Sequence, residues 1–192
     1  TTVTGASASS PLAAPMARRA LGRARGIVGV DMVTLNRLAE LIAGPTLAAS
    51  GRSPMSSSLV ELAIAQVLEA QPGVFRDVAG HPTTIVALRR VHDEVRLAGP
   101  AAAARLASSS RRAQDAVRVS RAVTGRLEDA WYDEADLFAE ATRLVTTGDV
   151  AYRGHVVVHL PVDLAGLALE FVNALGERVD VRLIEHDPVF LS

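Results

Sequence analysis

The sequence contains no cysteine and no lysine. A chain without cysteine can form no disulfide and no thiolate metal site, and it has no cysteine nucleophile. All twenty basic residues are arginine, so the lysine that P-loop ATPases and kinases place on phosphates is missing. A Schiff-base lysine is excluded for the same reason. These absences rule out several common kinds of enzyme chemistry.

Aromatic residues and long apolar runs are also scarce. Only 4% of the residues are aromatic although 49% are hydrophobic, and alanine supplies much of the difference, which favours closely packed helices. No stretch approaches the ~18 apolar residues of a transmembrane helix, so we expect no membrane span. The N-terminus, Thr-Thr-Val-Thr-Gly, has no initiator methionine and no signal peptide pattern. We therefore expect a piece of a longer, cytoplasmic protein.

Charge is unevenly distributed along the chain. Residues 1–54 carry six arginines against two acids, residues 55–127 carry ten against six, and residues 128–192 carry four against thirteen. A basic region joined to an acidic one fits a surface that faces a polyanion. It equally fits two parts of one domain that attract each other.

The stretch 155–187 predicts a strand, a crossover helix and a second, parallel strand. Two runs rich in valine, leucine and isoleucine flank a helix-period segment, as in a buried α/β sheet. Further strands are predicted at 1–4 and 27–33. The fold class predicted is therefore α/β with a small parallel sheet, in which residues 1–50 and 150–192 form the core.

Residues 55–148 predict an all-helical insertion. Helical spacing and end signals place helices at 57–70, from Pro82 to Gly99, at 101–107, from Ser110 to Leu127 and from Asp133 to Gly148. Before the insertion, a helix after Thr34 is predicted to end at Gly44-Pro45, with Leu41 among its core positions. Leu62 is among the apolar positions of the 57–70 helix.

A small-residue loop from Gly5 to Ser10 precedes a predicted helix at 11–23, which is where nucleotide phosphates often bind. The pattern GxxxxGK(S/T) started at Gly5 requires glycine, lysine and serine or threonine at positions 10–12. The chain has Ser10, Pro11 and Leu12 instead. A working ATPase is excluded, and no cofactor is predicted.

Arginines are the candidate nucleic-acid contacts. At 100° per residue, Arg111, Arg118 and Arg121 fall within about 80° of one another on the 110–127 helix, so they can follow the phosphates of single-stranded DNA. Arg18 and Arg19 belong to a second basic cluster. A solvated helix face is the simpler explanation of both groups.

An enzyme site at the strand ends is a further alternative. Ligands of parallel sheets bind beyond the carboxyl ends of the strands, where a hydrolase or a metal-dependent enzyme would use His159, Asp163, His186 or Asp187. His155 and His159 lie about 13 Å apart along one strand, too far to share a metal ion. No catalytic residue and no metal ligand is therefore assigned. A third alternative is a pure protein-interaction domain whose helices pack on a partner.

Several short motifs, in order along the chain, resemble one protein family. They are SPLAA from Ser10, GVDMVTLNRLAEL from Gly29, GHPTT from Gly80, LRR from Leu88, WYDEADL from Trp131 and HVVVHLP from His155. Together they are similar to the N-terminal helicase-like region of AddB-type, PD-(D/E)XK helicase-nuclease proteins of high-GC bacteria.

The resemblance implies a superfamily 1 helicase-like topology for 1–50 and 150–192, with 55–148 as its insertion. It departs from active relatives at Ser10 to Leu12, and at Leu160-Pro161, where a motor would place its magnesium-binding acids. It therefore implies a non-catalytic, degenerate module that supports single-stranded DNA or a partner subunit in DNA repair or recombination. The parent protein would carry the PD-(D/E)XK exonuclease domain downstream.

Overall fold

The structure, a computed structural model, describes residues 2–6, 30–149, 155–160 and 164–185. The described strands are β1 (Thr2–Ala6), β2 (Val30–Val33), β3 (Ser53–Pro54), β4 (Trp131–Tyr132), β5 (His155–Leu160) and β6 (Asp180–Glu185). The described helices are α1 (Leu35–Ala49), α2 (Ser57–Ala70), α3 (Pro82–Ser109), α4 (Arg111–Leu127), α5 (Glu134–Thr147) and α6 (Gly166–Gly176). A 3₁₀ helix, Gly73–Val78, lies between α2 and α3.

The predicted fold class, an α/β protein built on a parallel sheet of helicase-like topology, is wrong. Helices hold most of the described residues, and the described strands are two to six residues long. β1, β2, β5 and β6 pair in parallel in the order β2-β1-β5-β6, but each of these strands has only four to six residues. The reason is that the β-branched runs are short, whereas segments rich in alanine and leucine fill the sequence between them. The described part of the chain is mainly helical.

The chain divides into two compact units. The sheet unit comprises Thr1–Gly44 and Leu137–Ser192, and the helical unit comprises Pro45–Asp136. The insertion predicted over 55–148 ends later than the helical unit, because α5 from Leu137 onward belongs to the sheet unit.

Within the sheet unit, β5, α6 and β6 form a strand, a helix and a parallel strand, with Val156 opposite Val181. Val156 of β5 and Phe171 of α6 are almost completely buried. The ring of Phe171 lies 5.8 Å from that of Phe138 on α5, within the range of favourable aromatic pairs. Burial of these side chains stabilises this unit.

Within the helical unit, α2, α3 and α4 surround one hydrophobic core. Its most buried members are Ile64 and Leu68 of α2 and Val119 and Val123 of α4, each at most 1% exposed. The short strands β3 and β4 pair in parallel, with Ser53 opposite Trp131. This pair joins the beginning of the unit to its end.

Most helix limits agree with the end signals in the sequence. The Ser110 hydroxyl accepts the amide of Ala113 and the Asp133 carboxylate accepts that of Asp136, as expected of N-terminal caps. The predicted stop at Gly44-Pro45 is wrong, because α1 continues through Pro45 to Ala49. The buried Leu47 stabilises the turn after the proline. None of the described helices is long and apolar enough to cross a membrane.

Several predictions fall outside the described residues. They are the predicted loop after Ala6, the helix over 11–23 with Arg18 and Arg19, and the strand-end residues Asp163, His186 and Asp187. Of His159 only the backbone, within β5, is described.

Candidate functional site

An open, mainly apolar groove of about 950 Å³ lies in the helical unit. The 3₁₀ helix, α3 and the first turns of α4 line it. Its apolar lining consists of Val74, Phe75, Val78, Leu88, Val91, Val95, Leu106 and six alanines. The only charged residues in the lining are Glu94 and Arg112. Small side chains along α3 and α4 leave room for another chain to approach the backbone closely.

Exposed apolar side chains are concentrated at this groove. Of the six large hydrophobic residues exposed in the described part of the chain, three line it: Val74, Val78 and Leu106, at 39%, 43% and 39%. Scattered surface leucines are ordinary, but contiguous apolar surface marks binding sites. The groove is therefore the main candidate for a binding surface.

A kink in α3 shapes the groove. Gly99 has a φ of 83°, which only glycine adopts readily, and Pro100 has no amide hydrogen to continue the helix. Residues from both halves of α3 line the groove, with Val95 before the kink and Leu106 after it. The bend at Gly99-Pro100 thus lets the two halves of α3 form two walls of the groove.

Hydrogen bonds to side chains of α4 hold the 3₁₀ helix, which forms one wall of the groove. The Asp115 carboxylate accepts the amide of Val74 at 2.7 Å, and Arg118 donates to Asp115 at 2.9 Å and to the carbonyl of Gln71 at 2.9 Å. Hydrogen bonds from Arg118 and Val74 lower the pKa of Asp115. Gly73 has a φ of 56°, and a Cβ there would lie 2.8 Å from Cγ of Asp115. Glycine is required here both by conformation and by space.

A polar network lies on another side of α3. Arg96 donates to both carboxylate oxygens of Asp133, at 2.8 and 3.0 Å, and to Asp136 at 2.8 Å. Arg52 donates to the other oxygen of Asp136 at 2.9 Å and to the carbonyl of Trp131 at 2.7 Å. Burial disfavours the ionised form of Asp133, but the bonds from Arg96 outweigh it and lower the pKa of that carboxyl. The network ties α3 and β3 to the start of α5.

Beside this network, His92 is only 2% exposed. Its Nδ1 lies 2.9 Å from the hydroxyl of Ser120 on α4, whereas its Nε2 has no hydrogen-bond partner in the described part of the chain. Burial lowers the pKa of His92, although Asp133 and Asp93 act in the opposite direction. The ring is therefore expected to be neutral at pH 7, with one nitrogen available as an acceptor.

The three predicted DNA-contact arginines of α4 lie in different surroundings. Arg111 and Arg121 are exposed and make no ion pair within the described residues. Arg118 is half-buried and already bonded to Asp115 and Gln71. The helix spacing that placed the three in one stripe could not reveal that the middle one holds the 3₁₀ segment.

Comparison with known proteins does not extend this picture. No protein-family model matches the chain, and no curated protein matches it. The similarity to helicase-nuclease proteins therefore stays a prediction. No group of three or more metal-ligating side chains that could hold an ion occurs among the described residues.

Sequence reasoning missed both the groove and the polar network. The groove depends on the bend at Gly99-Pro100, which the sequence marks only as a helix end. The network joins Arg96 to acids 37 and 40 positions away. The only local signal was the Asp133 and Asp136 pair, in which each side chain accepts the other residue's amide.

Proposed function

We propose that the helical unit is a protein-interaction module whose groove binds an amphipathic helix of a partner protein. The open, alanine-lined groove with Val74, Val78 and Leu106 exposed at it carries this proposal. Amphipathic helices bind such grooves through apolar side chains spaced at i, i+3, i+4 and i+7. The support of a partner subunit, which the family resemblance implies, is one form of this function.

Charge at the groove restricts the partner. Arg112 lines the groove without an ion pair in the described part of the chain. Arg111, its neighbour in sequence, and Arg105, near the end of α3, are also exposed. The partner helix should therefore place a carboxylate beside Arg112, where complementary charge fixes orientation. Glu94 is the only acid in the lining.

The test uses a fluorescently labelled, designed helical peptide of about 15 residues, with a leucine stripe at the spacing given above and glutamates at one end. We expect saturable binding to the 192-residue chain. Leu106→Asp should weaken it at least about tenfold, because it replaces an apolar contact with a charge. Leu62→Asp is the matched control, since Leu62 is 57% exposed in the same unit but outside the groove.

Charge reversal makes this test specific. A peptide with lysine in place of the glutamates should bind more weakly, and Arg112→Glu should reverse that preference. Equal weakening by Leu106→Asp and Leu62→Asp would show that the peptide binds elsewhere. The absence of saturable binding by either peptide would refute the proposed function.

A second candidate is binding of single-stranded DNA, favoured by the exposure of Arg111 and Arg121 without ion pairs in the described residues. Affinity for an oligothymidylate should fall with salt, and replacing both arginines with alanine should reduce the log–log slope by about 1.4, or 0.7 per phosphate contact. Arg118 is left intact because it holds the 3₁₀ segment. An unchanged slope, or the same loss on replacing Arg76 and Arg90, would remove these two residues as DNA contacts.

A further inference from the structure

The 3₁₀ helix that forms one wall of the groove has few contacts with the core of the helical unit. None of its six residues, Gly73–Val78, is buried. Phe75 packs partly against the core, as does Ala79 just beyond the end of the helix. Segments with few buried apolar side chains open at a low cost in free energy, so this wall is expected to be easily displaced.

Glycines stand at both ends of this wall. Gly73 begins the 3₁₀ helix with a φ of 56°, and Gly80 lies in the turn between that helix and α3. Glycine allows the backbone to change direction more freely than any other residue. The wall can therefore move as a short unit while α2 and α3, on either side of it in sequence, stay folded.

One side-chain pair of α4 makes the hydrogen bonds that hold the wall. The Asp115 carboxylate accepts the amide of Val74, and Arg118 donates to Asp115 and to the carbonyl of Gln71. The other hydrogen bonds made by residues 72–80 are local and reach no further element in the described part of the chain. Hydrogen bonds to a charged group are stronger than those between neutral groups. The position of the wall therefore depends on Asp115.

We propose that Asp115 is a positioning residue, which holds the 3₁₀ wall where the partner helix meets it, so that release of this contact opens the groove and weakens partner binding. This inference rests on the proposed function of the groove. Val74 and Val78, two of the three exposed large hydrophobic residues that line the groove, belong to the wall. Displacement of the wall removes both from the apolar stripe of the partner. The apparent affinity then falls with the population of the closed form.

The first test measures binding of the designed helical peptide to the 192-residue chain by fluorescence anisotropy. Asp115→Ala is expected to weaken binding about tenfold, because loss of the bonds to a charged group leaves the wall displaced in most molecules. Asp77→Ala is the control, since it removes an exposed carboxylate of the wall itself that lies outside the groove lining. It should leave the affinity unchanged. Equal affinity of Asp115→Ala and the wild type would overturn the proposal.

Two glycine substitutions test the same contact without changing a charge. Gly73→Ala places a methyl group 2.8 Å from Cγ of Asp115 at a positive φ, so it should push the wall away and weaken binding by a similar factor. A Cβ at Gly80 would meet no atom within 4 Å, and Gly80→Ala should change the affinity little. Equal effects of the two substitutions would show that the contact with Asp115 does not set the affinity.

Hydrogen exchange separates displacement of the wall from a general loss of stability. The amide of Phe75 donates to the carbonyl of Pro72, a bond that Asp115→Ala leaves in place, so its exchange reports opening of the whole segment. In Asp115→Ala this amide should exchange at least about tenfold faster, whereas the amides of the buried Leu68 and Val123 should keep their rates. Equally faster exchange of all three amides would show that Asp115 supports the fold as a whole, and would overturn the proposal.

Failure of this inference can be told apart from failure of the proposed function. If the wild type binds no peptide, the function of the groove is refuted, and exchange at Phe75 alone decides whether Asp115 holds the wall. If the wild type and Asp115→Ala bind equally well, the function stands and the role of Asp115 is refuted. In Asp115→Ala, saturating peptide should slow exchange at Phe75 again, because binding and closure favour each other.

Discussion

Replacing Arg96 with alanine is expected to lower the free energy of unfolding of the helical unit by about 3 kcal/mol. The guanidinium donates three hydrogen bonds to Asp133 and Asp136, and all three side chains are about four-fifths buried. Removing it leaves Asp133 without its counter-ion, and breaking a buried pair in this way costs about 3–5 kcal/mol. Asp136 keeps Arg52, which places our value at the lower end of that range.

Urea unfolding followed by fluorescence measures this change. Trp131 is the only tryptophan in the chain and packs against the core of the helical unit, so its emission reports on that unit. Arg90→Ala is the control, because Arg90 is exposed on the same helix without an ion pair in the described residues. It should change the free energy by less than about 0.5 kcal/mol. Equal effects of the two substitutions would show that the network contributes nothing.

The Arg96 effect should decrease in acid. The folded pKa of Asp133 lies below its unfolded value of about 3.9, so the pair stabilises fully above that value. As the pH falls through the folded pKa, Asp133 takes up a proton and the stabilisation is lost. The difference between wild type and Arg96→Ala should therefore be constant near neutral pH and shrink below about pH 4. A difference that stays constant down to the acid limit would contradict the ionic origin of the effect.

Ile64→Ala is expected to lower the free energy of unfolding of the helical unit by about 3 kcal/mol, because it opens a cavity in the core. Ile64 is completely buried among residues of α2, α3 and α4. The removed atoms lose their burial, and the space left behind loses packing contacts.

Leu62, two positions earlier in α2, is the matched control. Leu62 is 57% exposed, so Leu62→Ala should lower the free energy of unfolding by less than about 1 kcal/mol. Both variants are measured by urea unfolding with Trp131 fluorescence. The reverse order, with Leu62→Ala more destabilising, would show that α2 packs through the face that sequence periodicity indicated.

That comparison shows where sequence reasoning stops. The helix over 57–70 was predicted at its observed limits, because serine at its start and Pro72-Gly73 at its end are local signals. Its buried face was not predicted fully, since Leu62 is exposed and Ile64 is buried. Leu41 of α1, predicted in the core, is likewise 52% exposed. A helix with apolar residues on several sides does not reveal which side meets a neighbour.

Long-range features could not be predicted for a different reason. The pairing of Arg96 with Asp133 needs two helix ends to meet, and the groove needs the bend at Gly99 to set both halves of α3 against α4. Composition contains neither fact. Arg118 is a further example. Its spacing on α4 predicted a phosphate contact, but its guanidinium bonds to Asp115 and to the carbonyl of Gln71.

The β3–β4 pair has a consequence for engineering. Ser53 donates its amide to the carbonyl of Ala130, and Met55 donates to that of Tyr132, so the entry and exit of the helical unit lie side by side. Adjacent ends are the condition for circular permutation and for grafting a unit into a foreign loop. A ring that keeps the network of Arg52, Arg96, Asp133 and Asp136 must include residues 52–136. Such a ring could be opened at Gly80, which lies in an exposed turn.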